Sequence, residues 1–267
     1  MSDMIDTART PVTVSALAIA PVKSLRLSAC SELLLERGGA PSDRRFYIVD
    51  ARGRRVNGVR LGALNAVLAR FDEGHRVLTL TFPDGEVVSA PVELGAEVQT
   101  TFSSASRSAR ELLGPFSAAL SAYAGEALRI VAPEDGRPAT DRGDRGAVTL
   151  YGRASLAPLE RLSGREEIDP RRFRMTIELA TSEPHEEDAW VGRELTIGDA
   201  RIGVSGHVGR CIVTCRDPDT GELDLPTLDL LRAYRSDAAT TEPLAFGIYG
   251  AVVEPGLVRV GDEVQVD

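Results

Sequence analysis

The chain has 267 residues, 43% hydrophobic and 27% charged, which is ordinary globular usage and enough length for one large domain or two smaller ones. Its 31 basic and 40 acidic residues give a net charge of −9, which argues against nucleic acid or an anionic membrane as main partner but leaves room for a small anion in a locally basic pocket. Three cysteines do not make a disulfide framework, zinc-finger spacing is absent, three scattered histidines argue against a histidine-built metal site, and no apolar run approaches the ~20 residues of a membrane helix.

The start, MSDMIDTART, carries acids and no apolar core of a signal peptide, so a cytoplasmic location is expected. TVSALAIAPV (13–22), SELLLER (31–37), RRFYIVDA (44–51), NAVLARF (65–71), RVLTLTF (76–82) and EVVSAPVEL (86–94) read as strands, rich in β-branched, aliphatic and aromatic residues. PDGE (83–86) turns two of them into a hairpin over 76–92. Short spacing between strands suits an antiparallel barrel or sandwich, not a parallel sheet with helical crossovers. SARELLGPFSAALSAYAG (108–125) has helical spacing interrupted at Gly114-Pro115, which predicts one helix from Pro115 to Tyr123, capped by Gly125. LRIV (128–131) is a strand. APEDGRPATDRGDRG (132–146) is an inter-domain or ligand-binding loop.

The second half repeats this style. Strands are expected at 147–152, 172–180 (RFRMTIELA) and 209–216 (GRCIVTCR), with helices at 155–164 and 226–235. ELTIGDARIGV (194–204) reads as a hairpin, and two strands, 245–256 and 257–266, close the chain with a turn at Gly261-Asp262.

Lys23 is the one lysine beside 30 arginines. Genome base composition explains such a bias without function. The physical alternative is a position that wants a compact ammonium and not a planar fork. On a strand, Cys211 and Cys215 would share a face about 13 Å apart, at ~3.3 Å per residue, too far for a disulfide. Arg210 and Arg216 flank them, and a neighbouring cation favours the thiolate. Burial as small hydrophobes is the competing reading. His185 in SEPHEEDAW (182–190) suits a proton donor at a pocket mouth or a solvated loop. His207 lies on the side of Cys211 if the strand is unbroken, or serves as a core or surface histidine. Trp190 reads as packing.

PVKS near the start, DRRF at 43–46, RFR at 172–174 and RCIVTCRDPDTG at 210–221, in this order, resemble the MOSC proteins with an N-terminal MOSC β-barrel domain, in the pattern of the mitochondrial amidoxime-reducing component and its bacterial counterparts. The terminal VRVGDEVQV resembles the family's closing hairpin. The resemblance implies a mainly β (α+β) fold of two β-barrel-like halves with a few short helices, the MOSC fold: an N-terminal barrel domain over 13–131, a connecting loop over 132–146 and a MOSC domain over 147–267. It implies a molybdenum cofactor, Mo-molybdopterin, with Cys211 as metal ligand and catalytic sulfur, since a soft thiolate suits a sulfur-ligated metal. Lys23, Ser24, Arg45 and Arg174 are the implied cofactor contacts. Arg210 joins them, and Arg145-Gly146 stands where the family has a Thr-Ser phosphate contact. Pyridoxal phosphate binding is a term of the wider family and attaches to no residue here.

The chain departs from the family's pattern at Met175-Thr176 for Pro-Asn, at Asn57-Gly58-Val59-Arg60 for Thr-Ala-Arg-Gln, and at Gly209 for a small polar residue. The resemblance implies a reductase of N-oxygenated small molecules. With no flavin or iron–sulfur motif in the chain, a separate electron-transfer protein would be its donor. A sulfur carrier or transferase with a persulfide on Cys211 is the second expectation, weakened by the missing aminotransferase-like domain. A cofactor-binding module without turnover is the third.

Overall fold

The computed structural model describes residues 11–102 and 105–267; the acidic start read above for its lack of a signal core lies outside them. The first half contributes β1 (Thr13–Ile19), β2 (Ser28–Cys30), β3 (Glu32–Leu35), β4 (Tyr47–Asp50), β5 (Arg55–Val56), β6 (Leu68–Asp72), β7 (Val77–Thr81), β8 (Val87–Pro91), β9 (Leu94–Phe102), β10 (Ala105–Leu112), α1 (Phe116–Ala124) and β11 (Leu128–Pro133). The second contributes β12 (Val148–Gly152), α2 (Ala157–Ser163), β13 (Ile177–Ala180), β14 (Glu194–Ile197), β15 (Ala200–Gly209), α3 (Thr227–Arg235), β16 (Ala245–Glu254), β17 (Gly256–Arg259) and β18 (Val264–Val266).

The mainly β expectation holds, but the sheets are open among the described residues. Eight strands run in the order β18-β14-β15-β16-β12-β13-β1-β2 and five in the order β5-β4-β11-β10-β9. A three-stranded meander, β6-β7-β8, and a two-stranded pair, β17-β3, complete the set. The first half is threaded through the second. β1 pairs with β13 from Thr13 opposite Ala180 to Leu17 opposite Ile177, and β3 pairs with β17. One core therefore mixes Val14, Leu17, Leu33 and Leu35 with Leu150, Ile177, Ile202 and Ile248. A second core packs Ile48, Leu78, Leu80 and Ile130 under α1 through Phe116 and Leu120.

The α1 prediction holds: Gly125 ends the helix at φ 70, a left-handed conformation glycine adopts freely. Five expectations fail. Leu94–Phe102 and Ala105–Leu112 pair antiparallel as β9 and β10 where SARELL was read with helical spacing, because Gly114, at φ 101, turns the chain before a helix can extend backward. RFR lies in a 3-10 turn, Pro170–Phe173, and not in a strand, since Asp169 caps that turn through the Arg171 amide. GRCIVTCR leaves the sheet at Gly209, and Ile212–Cys215 coil into a 3-10 turn closed by Thr214 onto the Cys211 carbonyl. β17 and β18 do not pair with each other, because β3 and β14 take their edges. Finally, β12 and β13 run parallel, joined by the segment that contains α2, so the sheet is not purely antiparallel.

Candidate functional site

A cavity of about 300 Å³ takes its wall from both halves of the chain, a volume at the low end for small-molecule sites. Lys23 and six arginines line it (Arg44, Arg55, Arg142, Arg172, Arg174 and Arg210), against one acid, Asp141. A protein with net charge −9 thus carries a strongly cationic interior site.

Local chain geometry places each group. The Leu25 amide donates to the Val22 carbonyl at 3.1 Å and closes a tight turn with Lys23 and Ser24 at its centre. Such a turn wants glycine at its third position, but Ser24 sits there at φ 79. Arg44, at φ 52, and Arg174, at φ 54, are also left-handed. Of six described non-glycine residues with positive φ, these three line the cavity, and backbone strain of this kind concentrates at functional sites. Arg174 reaches across to the Leu25 carbonyl at 2.6 Å, and Arg44 donates to the Arg174 carbonyl at 3.1 Å, so the three strained positions brace one another.

Cys211 is exposed and lines the same cavity, just after β15 ends. Its neighbour Arg210 is half-buried, with its guanidinium bonded to backbone and sulfur on the cavity wall. Arg210 donates to the Phe246 carbonyl (Nε, 3.0 Å), the Phe173 carbonyl (Nη1, 2.8 Å) and the Met175 sulfur. These bonds tie the start of β16 and the RFR turn to the segment that carries the thiol. Arg172 is also structural: it forks onto both oxygens of Asp224 at 2.7 and 2.6 Å and onto the Arg216 carbonyl.

Lys23 is only 7% exposed, and its ammonium donates to Asp141 Oδ2 at 2.9 Å. Arg55 Nη1 donates to Asp141 Oδ1 at 2.6 Å. Lys23 and Arg55 both lie over the Phe102 ring, at 5.4 and 4.6 Å from its centroid. Burial lowers the Lys23 pKa to about 8, although Asp141 opposes it. Partial burial works against ionisation of Asp141, yet Lys23 and Arg55 overcome it and hold this carboxyl below its usual range. Burial likewise pulls Arg174 down to about 10 and Arg210 to about 9, with Arg44 and Arg142 adding like-charge repulsion.

Lys23, Ser24, Gly146, Arg174, Arg210 and Cys211 therefore share one cavity. Arg45 and Arg145 stand apart from it. Arg45 lies over the Phe71 ring at 5.2 Å, and the left-handed turn gives the wall position to Arg44. Arg145 is exposed, and Arg142 takes its place, paired with Glu242 at 2.7 Å. Met175, Thr176, Asn57 and Gly209, where the chain departs from the family's pattern, all line the cavity. Cys215 is buried.

The histidines are elsewhere. His185 is not at a pocket mouth: its Nε2 meets the Tyr234 hydroxyl at 2.9 Å and its ring meets Phe246 edge-on, and burial lowers its pKa to about 4. His207 is buried on β15, where the Thr241 amide donates to its Nδ1 at 3.1 Å. Arg44, Arg55, Asn65, Asp141 and Arg142 escaped sequence reasoning. The Gly/Asp-rich loop 132–146 was the available signal for Asp141 and Arg142; nothing in the local pattern singled out Asn65.

Among the described residues, two that line the wall each bury a polar atom without a hydrogen-bond partner, Asn65 Oδ1 and Arg172 Nε. Buried orphans of this kind in a cavity wall are what a polar ligand would satisfy. An accessible thiol sharing one cavity with a cationic corner fits a group with a soft metal at one end and a phosphate at the other.

Residues 11–122 match the model of the MOSC N-terminal beta barrel domain, and residues 138–265 match that of the MOSC domain. The chain is 35% identical over 128 residues to mitochondrial amidoxime reducing component 2 of Rattus norvegicus, a match covering 45% of this chain and 37% of that protein. It is 27% identical over 285 residues to mitochondrial amidoxime-reducing component 1 of Xenopus laevis, covering 94% of this chain and 81% of that one. It is also 28% identical over 270 residues to molybdenum cofactor sulfurase of Drosophila persimilis, covering 87% of this chain and 32% of the relative.

Proposed function

The chain belongs to the MOSC family, an N-terminal MOSC β-barrel domain followed by a MOSC domain, and from that premise we propose that it binds a molybdenum cofactor and reduces N-oxygenated compounds such as amidoximes. The observation that carries this reading is the single cavity shared by the exposed Cys211 thiol and the buried Lys23 ammonium. Relatives named as amidoxime-reducing components support the reaction class.

Cys211 would supply sulfur to the metal. Lys23, Ser24 and Arg55 would hold the phosphate end by charge-assisted hydrogen bonds. Arg174 and Arg44 brace that corner, and Arg210 fixes the thiol's backbone from behind. When bound, the cofactor would supply the two-electron reduction. The balance is two electrons and two protons in, with amidine and water out. The electrons come from a separate electron-transfer protein, and the substrate is a small molecule.

The test is metal analysis of protein made in a host that synthesises the cofactor. About one molybdenum per chain, lost in Cys211→Ala, is expected, together with benzamidoxime reduction using an artificial donor. Metal content that is nil, or unaffected by Cys211→Ala, defeats the reading. A second reading, a sulfur carrier, is favoured by the similarity to a molybdenum cofactor sulfurase across 87% of this chain and by the exposure of Cys211. A mass gain of about 32 on Cys211 after treatment with a desulfurase would select it.

A further inference from the structure

The cationic corner already contains an anion of the protein's own. Asp141 bridges Lys23 Nζ at 2.9 Å and Arg55 Nη1 at 2.6 Å, one oxygen to each. It comes from the solvent side, with its side chain 52% exposed while that of Lys23 is 8% exposed. Its backbone belongs to the loop between β11 and β12, and among the described residues Lys23 and Arg55 are the groups that hold its carboxylate. Asp141 is the one acid on a wall with seven basic residues. It is also the hydrogen-bond acceptor of the Lys23 ammonium among the described residues, leaving two of that ammonium's three donors unused.

We propose that Asp141 is a resident carboxylate that occupies the Lys23–Arg55 corner until a dianionic phosphomonoester displaces it, so that the cavity rejects monoanions. The reason is charge for charge. A carboxylate ligand entering this corner only replaces one negative charge by another and leaves Asp141 without partners. A phosphomonoester dianion brings a second charge and a third oxygen, which can reach the unused Lys23 donors and the Ser24 hydroxyl, whose present acceptor, the Val56 carbonyl, is 3.5 Å away. Asp141 also keeps the buried ammonium paired when no ligand is present, where a lone buried charge is unfavourable. The inference rests on the cofactor reading for its biological ligand, and on the geometry alone for its anion preference.

The test uses the full chain purified without cofactor, labelled with 15N-lysine so that Lys23 gives the one side-chain ammonium signal. Phenyl phosphate and benzoate are titrated at pH 7 into wild type, Asp141→Asn and Asp141→Ser, with thermal melts to check the fold. Wild type is expected to prefer phenyl phosphate at least tenfold. In both variants benzoate should gain about tenfold and the preference should shrink. Unchanged affinities in both folded variants, weaker phosphate binding in them, or no binding of either anion to any form overturns the proposal. If the anion pattern appears but no molybdenum is retained by protein from a competent host, the resident carboxylate stands and the cofactor reading falls. If molybdenum is retained through Cys211 while the anion pattern is absent, the reverse holds.

Discussion

Lys23 should make anion binding fall as pH rises from 7 to 9, before any other cation of the cavity loses its charge. Burial brings its pKa to about 8, so the ammonium is charged at pH 7 and mostly neutral at pH 9. Phenyl phosphate is a dianion across this window, since its second ionisation lies near pH 6. Binding that needs the ammonium should therefore weaken about tenfold between pH 7 and pH 9, or ~1.4 kcal/mol. The sign follows from linkage: the anion stabilises the protonated amine, so affinity is full below the free-state pKa and declines as pH rises through it. Lys23→Arg keeps the charge at position 23, so its decline should be at most about twofold over the same range, the remainder coming from Arg210, with lower affinity at pH 7 because a planar guanidinium does not fit an ammonium's place. Isothermal titration calorimetry at half-unit pH steps measures both. A flat wild-type profile, or the same decline in Lys23→Arg, refutes the reasoning.

Other outcomes follow from buried groups away from the anion corner. Burial raises Glu187 from 4.5 to about 7, so the folded chain holds a proton that the unfolded chain releases, and stability falls as pH climbs through that interval. Glu187→Gln keeps a partner for Ser155 and should gain up to ~3 kcal/mol on wild type in urea melts at pH 8, with little difference at pH 4. Arg172→Met leaves Asp224 to Arg165 and leaves the Arg216 carbonyl without its donor, and should lower stability by ~1–3 kcal/mol, with Arg165→Met at the partly exposed end of the same carboxylate costing less. Gly221 sits at φ 76, and a Cβ there would fall 2.0 Å from the Gly62 carbonyl oxygen. Gly221→Ala should therefore lower the melting temperature by several degrees through at least ~1–3 kcal/mol of strain and separate the DPDTG turn from the first half.

Much of this was readable from the residues, for identifiable reasons. Lys23 stood out by rarity, and the RC-x-x-T-x-x-DPDTG run fixed the neighbourhood of Cys211. Helices α1, α2 and α3 announced themselves through periodicity, with glycines ending the first two. The misses were made by long-range partners. Arg44 and Arg45 are adjacent cations, and only a left-handed turn anchored on the Ala20 carbonyl decides which one faces the cavity. The β-branched Ile212 and Val213 look like strand, but the sheet ends before them and the chain coils, which is what exposes the neighbouring thiol. β9 and β10 are rich in Ser, Thr and Ala, with weak alternation, so pairing rather than composition defines them. Asp141 could not be found at all, because its meaning depends on a lysine 118 positions away.

The boundary between the two family matches is not a line along which the molecule can be cut. Because β1 is hydrogen-bonded beside residues 177–180 and Leu33 lies opposite Val258, segments made later in synthesis must receive segments made earlier. Late completion of the large sheet would leave early segments awaiting partners during synthesis, so a premature stop beyond residue 150 should yield aggregate and not a stable fragment. Swapping either portion with that of a relative would have to match two seams at once, which ties the inheritance of the anion corner to that of the thiol loop.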